Sequence, residues 1–281
     1  MQKIAIFTTY WDSYIEMFEK YNFPSLMSPG NIPKLLRDGY DVKWHVYSKV
    51  LGNNLKGYPG LVVHHYTESF DIFKGLEDFI RNNMDCICLM SCPDFFIGDK
   101  TLYNAVKIIE NKPKMCLSVA HPRISLQKLN GMEIKAKTNA ELVDFAFKYG
   151  HKCLVETEDS REPNLTWTGL SWRRIDENNY AVIHNLATPF LFQFTPEDIP
   201  IFCEENKGTF DRGFLGHLQK LGRIKLCGSS DLCFFVEITN DKHDPHFSSN
   251  LVYNDKPCHE EEGNGYWNDV VVNWRCENGR T

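Results

Sequence analysis

The run Asp-Cys-Ile-Cys-Leu-Met at 85–90 constrains the fold more than any other segment. It is the most apolar stretch of the first half of the chain, only four to six residues long, and it ends abruptly in Ser91-Cys92-Pro93-Asp94. A strand without a polar face belongs inside a parallel sheet covered on both sides. A helix is predicted next over Lys100–Glu110 and a strand over Met115–Val119, and a right-handed crossover makes the two strands parallel neighbours. The same alternation is written upstream, with strands at Lys3–Thr8, Val42–Tyr47 and Leu61–His65 and a helix at Phe73–Asn82. Between them, Asp12 or Ser13 is expected to cap a helix running to Glu19, and the segment from Phe23-Pro24 to Ile32-Pro33 reads as a turn-rich bridge. A helix starts at Pro33 and stops at Gly39, and another over Ala140–Tyr149 closes at Gly150. Strand and helix thus alternate from residue 3 to about 150, the mark of an α/β fold.

The remainder is less regular. Tyr180–His184, Phe190–Phe194, Arg223–Cys227 and Leu232–Thr239 read as strands; the chain then turns His-, Asn- and acid-rich before an apolar piece at Val270–Trp274. With 281 residues, 42% hydrophobic and 24% charged, the chain has the composition of an ordinary compact protein, and no clean linker divides it. A net charge of -6 supplies no general attraction to nucleic acid or anionic lipid and leaves only a local basic groove for such partners. Ten cysteines are too sparse for a disulfide scaffold, and Cys86, Cys88, Cys116 and Cys233 stand in apolar runs, as core thiols of a reducing compartment do. The start lacks a signal-peptide pattern and no segment is long and apolar enough for a membrane span, so a cytoplasmic protein with no membrane contact is expected. The sequon at Asn164 is then incidental.

Most chemical fingerprints fail. Gly52 and Gly57 have P-loop spacing, but Tyr58 replaces the lysine that reaches phosphate. No G-x-G-x-x-G follows the first strand, no G-x-S-x-G is present, and the zincin pattern breaks after His259-Glu260. A zinc set of Cys258, His259 and Cys276 with His243 or His246 has irregular spacing and reads as ordinary tail residues. What survives is Asp94. Ligands of open α/β sheets bind outside the carboxyl ends of the strands. An acid there can hold Mg2+ or Mn2+, which takes one or two carboxylates plus substrate oxygens. Asp99, five residues on, is placed instead to cap the helix from Lys100.

In order along the chain come a first strand, then Phe23-Pro24-Ser25-Leu26 with Ser28-Pro29-Gly30-Asn31-Ile32-Pro33, then Ser91-Cys92-Pro93-Asp94 with Gly98-Asp99-Lys100-Thr101-Leu102. His184 with Thr188-Pro189, Thr209-Phe210-Asp211-Arg212-Gly213, and finally Ser230-Asp231 with Glu237 complete the series. This order resembles GT-A-type glycosyltransferase-like proteins over about residues 3 to 240. The resemblance departs at the D-x-D signature, where Phe96 stands in place of the second acid.

The resemblance implies a GT-A-like nucleotide-binding sheet, mostly parallel with helices on both faces, and an elaborated mixed α+β C-terminal half. The domain spans 1–240, with a nucleotide-binding half at 1–150, an acceptor-side half at 151–240, and an extension at 241–281 packed on the same domain. The implied activity is transfer of a sugar from a nucleotide-diphosphate donor, a UDP-sugar first, to an acceptor hydroxyl, with Mn2+ or Mg2+ as cofactor. Its donor site takes Thr8, Thr9, Tyr10, Asn31, Asp94 and Arg123; Asp94 and His184 are the metal ligands, and Asp211 and Asp231 the catalytic bases. Arg123 would pair with phosphate through two parallel hydrogen bonds. The Arg173-Arg174 pair beside Trp167 and Trp172 offers cation and stacking surface for a base or sugar. A narrower resemblance, to bacteriophage enzymes that glycosylate hydroxymethylated cytosine, implies DNA as acceptor and a flipped base. Two other classes use the same residues: a nucleotide-sugar-binding module without catalysis, and a metal-dependent hydrolase or phosphotransferase.

Overall fold

The computed structural model describes residues 1–9, 14–48, 58, 60–65, 72–135, 138–151, 154–156, 170–185, 190–205, 213–240 and 267–275. In chain order, β1 (Lys3–Thr9) leads into α1 (Ile15–Met17), a π turn (Phe18–Asn22) and α2 (Phe23–Leu26). Then follow α3 (Ile32–Arg37), β2 (Asp41–Ser48), β3 (Leu61–His65), α4 (Ile72–Asn82), β4 (Cys86–Met90), β5 (Phe95–Ile97) and α5 (Thr101–Ile109). The middle holds β6 (Cys116–Ser118), β7 (Arg123–Ser125), α6 (Leu126–Leu129), α7 (Asn139–Lys148), β8 (Leu154–Glu156), β9 (Leu170–Arg174) and β10 (Asn179–Asn185). The last described elements are β11 (Phe190–Phe192), α8 (Asp198–Glu205), α9 (Gly213–Lys220), β12 (Ile224–Leu226), β13 (Phe235–Thr239) and β14 (Trp267–Arg275).

Among the described residues the central sheet has seven strands in the order β12-β6-β11-β4-β1-β2-β3. All are parallel except β11, which runs antiparallel to both β4 and β6. The alternation of each strand feeds two apolar layers. Ile4, Ile6, Ile87 and Leu89 join Leu26, Leu35 and Leu102 on one face, from α2, α3 and α5. Ala5, Phe7, Cys88 and Met90 join Phe79, Phe202 and Phe214 on the other, from α4, α8 and α9. The fold is therefore mixed α/β, with a mostly parallel sheet sandwiched between helices. No helix among the described residues is long and apolar enough to cross a membrane.

The strands at 86–90 and 116–118 are parallel, yet they are not neighbours, because β11 is inserted between them. Its Phe190-Leu191-Phe192 is buried on both faces and pairs with Leu89 and Leu117 at once, which satisfies an apolar strand better than the edge would. A smaller sheet, β5-β13-β7, and a four-stranded one, β14-β10-β9-β8, flank the centre. In the latter, β14 pairs with β10, and Trp274 packs on Phe147 and Phe234 with ring centroids 6.0 and 5.2 Å apart.

Phe23–Leu26, read as bridge from sequence, is helical and continuous with α1. A proline inside a helix lacks an N–H and its ring meets the carbonyl four residues back. Here the π turn precedes Pro24, and the Phe23 N–H reaches back five residues to the Phe18 carbonyl. The widened turn lets the chain pass Pro24 without unwinding. The helix at 101–109 is likewise not capped by Asp99. Its N-cap is Lys100 in the left-handed region (φ 57°), and the free Leu102 N–H goes to Asn31 Oδ1 at 2.9 Å. The cysteines in apolar runs are buried free thiols, Cys86, Cys88, Cys116 and Cys233 among them.

Candidate functional site

Asp94 sits where β4 leaves the sheet. Beyond Met90 the Ser91 N–H still bonds the Phe7 carbonyl of β1 (3.2 Å), after which Cys92 to Phe95 turn into β5. Two features hold this turn. The Asp94 carbonyl accepts from the Ile238 N–H of β13 at 2.8 Å. From the π turn, the buried Asn22 amide donates through Nδ2 to the Cys92 carbonyl (3.2 Å) and the Phe95 carbonyl (2.8 Å). The acid is thus half-buried at the carboxyl edge of the central strand, on a backbone fixed both before and after it.

Beside it lies a half-buried ion pair. Arg123, on β7, donates from Nε to Glu237 Oε2 at 2.9 Å and meets Oε1 through its second nitrogen at 2.9 Å, the two-pronged geometry that matches guanidinium to carboxylate. Thr239 Oγ1 donates to Oε1 at 3.0 Å, and His121 Nε2 stands 3.6 Å from Oε2. Burial alone would raise the Glu237 carboxyl; Arg123 first, then His121 and Thr239, outweigh it and hold it down at about 2. His121 is buried, with Nδ1 3.2 Å from the Val119 carbonyl, and Phe95 packs edge-on to it at 5.0 Å. A carbonyl only accepts, so Nδ1 carries the hydrogen. Tyr14 completes the cluster. Burial, and then the charges of Asp94, Cys92 and Glu237, push its hydroxyl up against a smaller opposing pull from Arg123, which keeps it a donor at neutral pH.

The residues expected in the site fare differently. Asp94 and Arg123 are brought together, and the Nε edge of Arg123 is engaged by Glu237. Thr8 and Thr9 reach the right strand end yet are buried: Thr8 Oγ1 accepts from Trp44 Nε1 at 3.0 Å, and Thr9 Oγ1 donates to the Tyr47 carbonyl at 3.2 Å. Asn31 is wholly buried and committed to the chain. Its Nδ2 donates to the Ser25 and Gly98 carbonyls and Ser28 Oγ at 2.9 to 3.0 Å, and its Oδ1 caps α5. It ties the Ser-Pro-Gly-Asn turn so closely to the start of α5 that a Cβ on Gly30 would fall 2.8 Å from the Lys100 backbone nitrogen.

Asp231 precedes β13, at the opposite end of that strand from the Asp94 contact. It is half-exposed, 3.8 Å from Arg275, in a cleft of about 490 Å³ that Asp99, Lys100 and Asn178 also line. It therefore does not share a site with Asp94. His184 is placed on β10, in the four-stranded sheet, opposite Asn268. Tyr10, Asp211, Trp167, Asn164 and the cysteines and histidines of the zinc set lie outside the described residues.

A divalent cation fits this arrangement in one way. Among the described residues no three His, Cys, Asp or Glu side chains gather as a metal cage, and Glu237 is engaged by Arg123. Asp94 has one carboxylate oxygen fully buried and stands at the strand edge, which suits a cation that arrives with a diphosphate and draws most of its oxygens from it. Tyr14, Asn22 and His121 were not anticipated. For Asn22 the signal was present in Asn-Phe-Pro, since a proline two residues later demands a widened turn. Glu237 was marked by lying within Phe-Phe-Val-Glu-Ile, where a lone acid needs a partner. Compared with protein-family models and with curated proteins, the chain matches none.

Proposed function

We propose that the protein is a nucleotide-sugar-dependent glycosyltransferase that binds the donor's diphosphate at Asp94. The observation that carries this reading is the half-buried Asp94 at the carboxyl edge of the central strand of a mostly parallel sheet, the position where such sheets bind nucleotides. Mn2+ or Mg2+ on Asp94 would neutralise charge that grows on the departing diphosphate. Arg123 is neutralised by Glu237, which leaves the cation that task. Tyr14 stands near enough to Asp94 and Glu237 for their charges to act on its phenol. An acceptor hydroxyl attacks the anomeric carbon, the nucleoside diphosphate leaves, and the hydroxyl proton passes to a base. Hydroxymethylcytosine in duplex DNA belongs among the acceptors to be tried.

Thermal melting with UDP, GDP or ADP, each with and without Mn2+, tests the reading, because a ligand of the native state raises the melting temperature. At a hundred times Kd the stabilisation is about 2.7 kcal/mol. A rise with one nucleotide that needs Mn2+ and disappears in Asp94→Asn is expected. Mass spectrometry then follows the donor sugar onto an acceptor. Release of inorganic phosphate in place of a nucleoside diphosphate would make the protein a phosphohydrolase, and no response to any nucleotide would end the proposal.

A further inference from the structure

The π turn at Phe18–Asn22 holds one residue more than an α-helical turn. In an uninterrupted helix, Tyr14 and Asn22, eight residues apart, would diverge by roughly 80°. With one residue absorbed by the wide turn they stand as residues seven apart do, two turns along one face. That face meets the Cys92–Phe95 turn at two places. Asn22 Nδ2 bridges the Cys92 and Phe95 carbonyls, and Tyr14 lies close enough to Asp94 for its charge to act on the phenol. Asn22 is completely buried, and its Oδ1 has no hydrogen-bond partner among the described residues. An amide used on one side only is a poor choice for packing and a good one for holding two carbonyls at a set spacing. π turns inside helices recur at functional sites for such realignment.

We propose that Asn22 is a positioning residue: the π turn aims its amide so that it clamps the 92–95 turn and thereby sets the Asp94 carboxylate for a cation-linked diphosphate. The clamp itself is a statement about the backbone; its consequence for the ligand rests on the function proposed above. The two are read separately, in wild type, Asn22→Leu and Asn22→Asp, the last keeping size while removing both Nδ2 hydrogens.

The first readout needs no ligand. Cys92 is half-buried in the clamped turn and Cys203 half-buried on α8, away from it, and neither is in a disulfide. Alkylation by iodoacetamide, followed by peptide mass spectrometry, is expected to speed up about tenfold at Cys92 in either variant and to stay within twofold at Cys203. An unchanged Cys92 rate, or equal acceleration at both thiols, overturns the clamp; the second pattern would mean general loosening. The second readout is UDP affinity with and without Mn2+. Removing a residue that orients a metal-binding side chain costs roughly 10–100-fold in metal-linked affinity. The Mn2+-dependent gain should therefore shrink by at least about tenfold, with metal-free affinity little altered. A preserved gain in a variant with accelerated Cys92 overturns the link from the clamp to Asp94. A wild type with no Mn2+-dependent gain removes the functional reading, while the clamp stands or falls on the thiol rates. If Asn22→Leu fails to fold, Asn22→Asp carries both measurements.

Discussion

Stability below neutral pH should be governed in good part by His45. It lies on β2 under α4, 8% exposed, with Phe79 edge-on at 5.2 Å, and its Nδ1 is 3.1 Å from His64 Nε2 on β3. The two rings are nearly parallel, 15° apart with centroids 5.4 Å from each other, and Tyr47 stacks on His64 at 4.0 Å. Two imidazoles joined in this way share one N–H between them, and a second proton at that contact would set two N–H groups against each other. Burial first, then His64 and Lys43, bring the His45 pKa down to about 4, against a weaker upward pull from Asn83. In the unfolded chain the same group takes its proton near 6.5. Between those values the unfolded chain binds a proton that the folded one refuses. Stability is therefore complete above pH 6.5, declines as the pH falls to 4, and levels off below. The loss amounts to about 3 kcal/mol, or on the order of 5 °C in melting temperature for a chain of this size. The assay is urea unfolding of wild type and His45→Phe at intervals from pH 7.5 to 4. Phenylalanine keeps the ring and cannot titrate, so the variant's stability, taken relative to its own value at pH 7.5, should decline about 3 kcal/mol less by pH 4. Parallel curves for the two proteins would refute the argument.

Glu237→Gln leaves the half-buried Arg123 without its counter-charge and should destabilise by about 1.5–3 kcal/mol in urea unfolding. Because the Glu237 pKa lies at about 2 against an ordinary 4.5, its contribution is intact above pH 4.5 and lost as pH falls toward 2, so the variant should lack that part of the wild-type acid decline. Asn31→Ala removes the cap on the Leu102 N–H and one of the donors to the Gly98 and Ser25 carbonyls, which keep the Thr101 and Ser28 N–H groups; a loss of about 1–3 kcal/mol is expected from the unsatisfied N–H, measured as a lower urea midpoint. A change under about 0.5 kcal/mol would show those bonds to be replaceable by water.

The Asp-Cys-Ile-Cys-Leu-Met run declared a doubly covered strand because its composition leaves no face for water, and β1, β2, β3, α4, α5 and α7 were legible within a residue or two for similar local reasons. The position of β11 was not. Phe-Leu-Phe states that a strand is buried and says nothing of which partners bury it, so its insertion between β4 and β6 is decided by tertiary pairing alone. The place of Asp94 at a strand end was legible because the apolar run stops just before it. The commitment of Asn31 to the chain was not legible, because a buried amide satisfied within the fold and one that greets a ligand look alike in sequence. Arg123 was read as free to bind phosphate, since nothing local reveals that Glu237, 114 residues later, is its partner.

The insertion of β11 also bears on how the chain is made. The parallel strands from the first 118 residues remain split until residues 190–192 arrive to join them, and β12 must wait longer still. A nascent chain halted near residue 150 would expose the unpaired edges of β4 and β6, both apolar, to any neighbour. The sheet thus closes late, through contacts of high sequence separation, and slow folding is expected.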